Sequence, residues 1–255
     1  MSQSDKSDFS PEILTNANVG GNVEIDSINI EQTVTYINHN LPEIYKPKGI
    51  PHNIPQSNTI QFVGRTESLL KIHEQLKEKG TLAITAVKGM GGVGKTELTI
   101  QYSLVSLFLE TYQGGICWVT ARSENVGLQI VNFAQTYLGV TPPDDYNLEQ
   151  QVEFCWARWQ EHKAGKVLII FDDVTDYRKE ITPYLPPQSE SFRVLITSRF
   201  NFDLPSSISL EVLEEENAME LIRQWIGQKK VSEEIEEVKE LCERLGYLPL
   251  GMRIK

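Results

Sequence analysis

A chain of 255 residues has room for one or two domains with a well-buried core, and 40% hydrophobic with 23% charged residues is the make-up of a soluble globular protein. The formal net charge of -11 argues against nonspecific nucleic-acid binding over the whole surface and leaves only a local basic patch open. No apolar run approaches a membrane span, and Met1 to Ser10 lacks a basic-then-apolar leader pattern, so a cytoplasmic location is the expectation.

Residues 1–56 differ from the rest. Met1 to Asp8 is polar, with the composition of a segment that does not fold by itself. Asn16 to Asn40 is rich in asparagine and holds Gly20-Gly21. Within it Ile28, Ile30, Val34 and Tyr36 alternate with Asn29, Glu31, Thr33 and Thr35, a period of two that suggests a strand or hairpin. Pro42, Pro47, Pro51 and Pro55 then mark an extended linker.

From Asn58 onward strand and helix patterns alternate. Thr66 to Lys79 reads as a helix with Leu69, Leu70, Ile72 and Leu76 on one face and Gly80 as its stop. Thr81 to Val87 reads as a buried strand. It leads into Gly89-Met90-Gly91-Gly92-Val93-Gly94-Lys95-Thr96, which fits the pattern G-x-x-x-x-G-K-[ST]. A phosphate chain needs backbone N–H groups aimed inward at close range, and residues without a Cβ let the main chain come that near. A helix starting at about Gly94 points its positive end at the same anion. Lys95 adds a full charge for the β- and γ-phosphates, and the Thr96 hydroxyl can ligate Mg²⁺. Leu98, Ile100, Leu104, Val105 and Phe108 supply helical spacing after the loop. Strand, glycine loop and helix together point to a nucleotide.

Gly115 to Ala121 reads as the next strand, and Asn125 to Leu138 and Leu148 to His162 as helices, the second opened by a capping pair, Asn147 with Gln150. Val167 to Phe171 is an all-apolar strand core ending in Asp172-Asp173. Such a strand delivers carboxylates to the edge of the sheet where ligands bind. Asp172 is the candidate Mg²⁺ holder, and Asp173 the group that orients or deprotonates an attacking water. Arg193 to Thr197 is a further buried strand, followed by Ser198 and Arg199. Arg199 is placed to touch a γ-phosphate, while Arg193 reads as structural. Glu214 to Gly227 and Ser232 to Leu245 read as acidic amphipathic helices, and Gly246-Tyr247-Leu248-Pro249-Leu250 follows. Pro249 offers a flat apolar face suited to an adenine ring. Cys117, Cys155 and Cys242 form no C-x-x-C pair and read as small core residues, which argues against zinc. Alternation of this kind implies an α/β fold with a parallel sheet and right-handed crossovers.

These segments resemble the NB-ARC domain of the STAND class of P-loop NTPases, the switch module of apoptotic and plant immune receptors and their bacterial relatives. The likeness covers about residues 58–254 and rests on Gly89 to Thr96, Phe62-Val63-Gly64-Arg65-Thr66-Glu67, the paired acids, Arg199 and Leu248-Pro249-Leu250. It implies a three-layer P-loop sandwich over residues 57–212 and the start of the helical ARC1 subdomain over 213–255. It also implies ADP/ATP with Mg²⁺ as ligands, with Gly89, Gly91, Gly92, Val93, Gly94, Lys95 and Thr96 around the phosphates and Val63 (by its backbone), Arg65 and Pro249 at the base. The expected activity is an ADP-bound off state and a self-associating ATP-bound on state, reset by slow hydrolysis in signal transduction or defence. A catalytic P-loop ATPase and a nucleotide-dependent transcription regulator are the alternatives, without an arginine-rich lid or a helix-turn-helix to favour them. Where the family continues Ala-Leu after the Leu-Pro-Leu motif, this chain has Gly251-Met252, and residues 1–255 contain no winged-helix domain with its β-phosphate histidine and no repeat sensor. The expectation is either a fragment of a longer receptor or a truncated switch with a weakened lock. Ahead of the switch, Asn16 to Asn40 resembles short amyloid-type signalling motifs that engage a downstream effector, with a plain leader bearing one hairpin as the alternative.

Overall fold

The computed structural model describes residues 33–34, 49–57, 59, 62–86, 91–122, 125–162, 164–204 and 206–252. Most of the asparagine-rich stretch, together with Gly89 and Met90 of the glycine loop, lies outside the described residues. Thr33 and Val34 are helical and buried, so the alternation expected to make a strand does not do so at these two positions. Val34 instead packs into the main core, where burial of an apolar side chain outweighs a local pattern of two.

Helix α1 (Thr66–Lys79) ends where Gly80 takes φ 75° and donates its N–H to Leu76 O, as the glycine stop predicts. It leads into β1 (Thr81–Ala86), and the loop passes into α2 (Lys95–Phe108) with Gly94 as N-cap. Strand β2 (Gly115–Thr120) is followed by α3 (Val126–Phe133), whose Asn125 cap accepts from Leu128 N, and by a widened π-type turn over Ala134–Leu138. Helix α4 (Leu148–His162) carries the expected reciprocal cap: Asn147 N donates to Gln150 Oε1 and Gln150 N to Asn147 Oδ1, each at 3.0 Å. Strands β3 (Val167–Val174), β4 (Phe192–Ser198) and β5 (Ser207–Leu210) complete the sheet. The short, serine-rich β5 carries too weak a pattern to be read beforehand.

The five strands lie in the order β2-β3-β4-β1-β5, and every pair is parallel. Alternate side chains feed opposite faces. Leu168 and Ile170 join α1 and α2 in one core, while Val167, Ile169 and Phe171 join α3 and α4 in the other. The result is the expected three-layer α/β sandwich of a P-loop NTPase. Cys117, Cys155 and Cys242 are buried free thiols. Helix α2 buries more than the apolar residues that gave its helical spacing. Thr99, Gln101, Ser103 and Ser106 are buried alongside its apolar residues, because the helix is enclosed rather than half-exposed.

Beyond the sheet come α5 (Glu215–Ile226), α6 (Gln228–Glu233) and α7 (Ile235–Arg244). The single helix expected from Ser232 onward is instead two, broken at Glu234, whose φ of -124° leaves the helical region. These helices bury their own cluster, including Leu213, Met219, Ile222, Val238 and Met252, with Val63 and Tyr247 packed against it. The segment ahead of α1 is not a slack linker at its described end. His52 bridges Ile116 in parallel, Ile116 N donates to Pro51 O, and the Asn53 side chain donates to Trp118 O and accepts from Trp118 N. Residues 51–53 thus cover the outer edge of β2.

Candidate nucleotide-binding site

The loop residues that the structure describes, Gly91 to Gly94, sit at the carboxyl end of β1 and open α2. Gly92 and Gly94 hold φ of 81° and 97°, values open to glycine and costly for other residues. A Cβ on Gly92 would lie 3.0 Å from Leu250 Cβ, and one on Gly91 would lie 3.8 Å from the Arg199 guanidinium carbon. The glycines therefore allow both a reversed backbone and a close approach, the two properties a phosphate cradle needs.

Because β4 lies between β1 and β3, the acids of β3 face the loop across the end of β4. Thr197 of β4 joins the two sides. Its hydroxyl donates to Asp172 Oδ1 at 2.6 Å and accepts from Asp173 N at 2.9 Å. Thr96 donates to the same Asp172 oxygen at 2.9 Å. Burial pushes the Asp172 carboxyl above its ordinary value, against the opposing pull of the Thr197 and Thr96 hydrogen bonds. Burial, reinforced by the nearby Arg199 charge, lowers the Lys95 ammonium below its ordinary value, against the opposing pull of Asp173 and Asp172.

Asp173 has φ 56°, and the register between β3 and β4 slips between Phe171 and Val174. This bulge breaks the strict alternation of side chains and re-aims the second acid. Its carboxylate meets Arg122 Nη1 at 3.1 Å and Arg199 Nε at 3.8 Å. Thr197 as a shared anchor and Arg122 as a partner of Asp173 are absent from the sequence reading. The hydroxyl pair Thr197-Ser198 that ends β4 hinted at the first, and nothing in the pattern Thr120-Ala121-Arg122 singled out the second.

The residues expected at the base are reached differently. Val63 packs against the helical cluster of α5–α7. Arg65 Nη2 donates to Glu211 O at 2.6 Å and lies 3.5 Å from Val93 O, tying the start of α1 to the loop and to the strand–helix junction after β5. Burial lowers its pKa. Pro249 comes within 3.9 Å of the position a Gly94 Cβ would take, and Leu250 N donates to Gly92 O. The Leu-Pro-Leu turn thus covers the described part of the loop. Glu97, next to Thr96, accepts from Ser57, Thr59 and Gln101, fastening the chain ahead of α1 to the first turn of α2.

The model of the NB-ARC domain family matches residues 65–232 of this sequence. The chain belongs to the NB-ARC family. It is similar to the regulatory protein AfsR of Streptomyces griseus, with 26% identity over 216 residues (82% of this chain and 21% of that protein). It is also similar to the disease resistance protein RPP8 of Arabidopsis thaliana, with 25% identity over 223 residues (80% of this chain and 24% of that protein). The chain therefore spans about a fifth to a quarter of the length of these curated relatives. A solved Signal Transduction ATPase with Numerous Domains (STAND) protein with a tetratricopeptide repeat sensor, from Pyrococcus horikoshii, aligns with a TM-score of 0.48 and 22% identity over 80% of this chain and 30% of that one. NB-ARC domains are nucleotide-binding modules of signalling proteins. Within this NB-ARC domain the matched interval takes in Arg65, the loop, both acids and Arg199, while Val63 and Pro249 lie outside it. Among the described residues no helix is long and apolar enough to cross a membrane.

The site fits the ligands that the family implies. A hydroxyl and a carboxylate sharing one point are hard oxygen donors of the kind Mg²⁺ takes, and the glycine cradle with Lys95 at its end suits a polyphosphate.

Proposed function

We propose that this NB-ARC domain is an ADP/ATP switch with slow hydrolysis. The observation that carries the reading is the meeting of Thr96 and Asp172, 76 residues apart in sequence, at 2.9 Å beside the glycine loop. Gly91 to Gly94 present backbone N–H groups to the phosphates, and Lys95 supplies the positive charge. Thr96 and Asp172 hold Mg²⁺, which when bound neutralises charge on the phosphate oxygens. Asp173 orients a water and takes one of its protons as the water oxygen bonds to the terminal phosphorus and the bridging phosphorus–oxygen bond to ADP breaks, giving ADP and inorganic phosphate. Arg199 senses the terminal phosphate, and Val63, Arg65 and Pro249 enclose the base.

At the level of domains, we assign nucleotide binding to residues 57–212 and the helical ARC1 start to 213–255. The ATP state self-associates, the segment 1–56 reaches a downstream effector, and the setting is cytoplasmic signalling or defence. The likeness to a bacterial regulatory protein and to plant disease resistance proteins supports this direction.

The test is direct. Denatured protein releases ADP on chromatography, and calorimetry registers ADP and Mg²⁺-ATP binding. Lys95→Ala loses roughly 1.5–3 kcal/mol, about 10- to 150-fold in affinity, the range of a charge-assisted hydrogen bond. No heat from either nucleotide with folded protein, or unchanged affinity in the variant, rejects the reading.

A further inference from the structure

The two guanidinium groups on Asp173 come from opposite flanks. Arg199 follows β4, on the side of the glycine loop, and Arg122 follows β2, the outer strand on the far side of β3. One therefore draws the carboxylate toward the loop and the other draws it away. Arg122 Nη1 is on Oδ2 at 3.1 Å, whereas Arg199 Nε stands 3.8 Å from Oδ1, so the outward pull has the closer contact. An oxygen that accepts an N–H from a guanidinium has that lone pair committed and is less free to receive a water proton.

We propose that Arg122 is a positioning residue that holds Asp173 off the attacking water and so keeps hydrolysis slow. The inference rests on the reading of Asp173 given above. When Arg199 turns to a terminal phosphate its contact with Oδ1 ends, and Arg122, still on Oδ2, keeps the whole carboxylate drawn toward β2 and away from the loop, so the freed Oδ1 is not brought to the water. Arg122 is thus the restraint that outlasts nucleotide arrival. The pair is partly open to solvent, with side-chain exposures of 48% for Arg122 and 27% for Asp173, so the restraint is modest and breakable.

Two measurements test it. In nucleotide-free protein, a double-mutant cycle with Arg122→Ala and Asp173→Asn reads the coupling from unfolding equilibria, expected at roughly two- to fivefold, as for a partly exposed ion pair. In single-turnover assays Arg122→Ala speeds conversion of bound ATP by roughly the same two- to fivefold factor while ADP affinity stays unchanged. Arg122→Lys restores the slow rate, and Arg122→Ala adds nothing in the Asp173→Asn background. An unaltered or slower rate in Arg122→Ala, no coupling in the nucleotide-free cycle, or a fall in ADP affinity that would make Arg122 a phosphate ligand each overturns the inference alone. A wild-type protein that binds no ATP sinks the nucleotide reading, and the inference with it.

Discussion

One oxygen, Asp172 Oδ1, receives the hydroxyl protons of both Thr96 and Thr197, and the residue that carries it is nine-tenths hidden from water, at 7% exposure. In nucleotide-free protein that negative charge is a cost. Its pKa lies above the unfolded value of 3.8, chiefly from burial, so folding shifts this group toward the protonated acid relative to the unfolded chain. The resulting stabilisation is complete below the unfolded value and is lost as pH rises through the folded one. Asp172→Asn keeps the shape and an oxygen for both hydroxyls while removing the charge. In the absence of nucleotide it should melt above wild type at pH 7, with the gap closing as the pH approaches 3.8. Melting temperatures that coincide at every pH, or a lower one at neutrality, would show that the carboxylate is well served as it stands. This balance was not legible beforehand: Asp172 could be named from the strand ending in acids, but the partner that completes its setting, Thr197, belongs to a different strand and becomes a neighbour only through the strand order.

Among the elements, those with strong local signals formed as read. The helix from Thr66 to Lys79, the cap at Asn147 and the apolar cores of β3 and β4 each combine propensity, period and boundary residues that agree with one another. The misses are places where tertiary structure overrides the pattern: the bulge at Asp173, the break at Glu234 and the four-residue β5. Gly64 shows how closely such junctions are fitted. It has φ 68°, and a Cβ there would fall 2.4 Å from Asn217 Cγ on α5. Gly64→Ala should cost about 1–3 kcal/mol from the backbone conformation together with the clash, lowering the melting temperature. Adding Asn217→Ala should return the part due to the clash and leave the backbone part. Wild-type melting in Gly64→Ala would mean that this turn is far more yielding than its geometry implies.

For the whole molecule, the alternation of strands and helices was enough to specify a three-layer sandwich around a parallel sheet, since helix crossovers dictate that arrangement. What the alternation left open was which strand lies at the margin and what guards it. Strands β2 and β5 are the two margins, and at β2 Pro51 to Asn53 supply the missing hydrogen-bond partners. A protein beginning at Ser57 should leave the Ile116 and Trp118 backbone groups bare. It should lose roughly 1 kcal/mol for each hydrogen bond removed, and should associate through the open edge in light-scattering measurements. A shortened protein that stays monodisperse and melts like the full chain would show that the edge needs no cover.

The same strap has a mechanical meaning. It is anchored twice, along β2 by Asn53 and at the first turn of α2 by the Ser57–Glu97 contact, one residue from Thr96. Tension applied to the chain ahead of Pro51 is consequently not absorbed by a loose tether. It loads the rim of the sheet first, and once that gives way the strain arrives at the foot of the glycine loop.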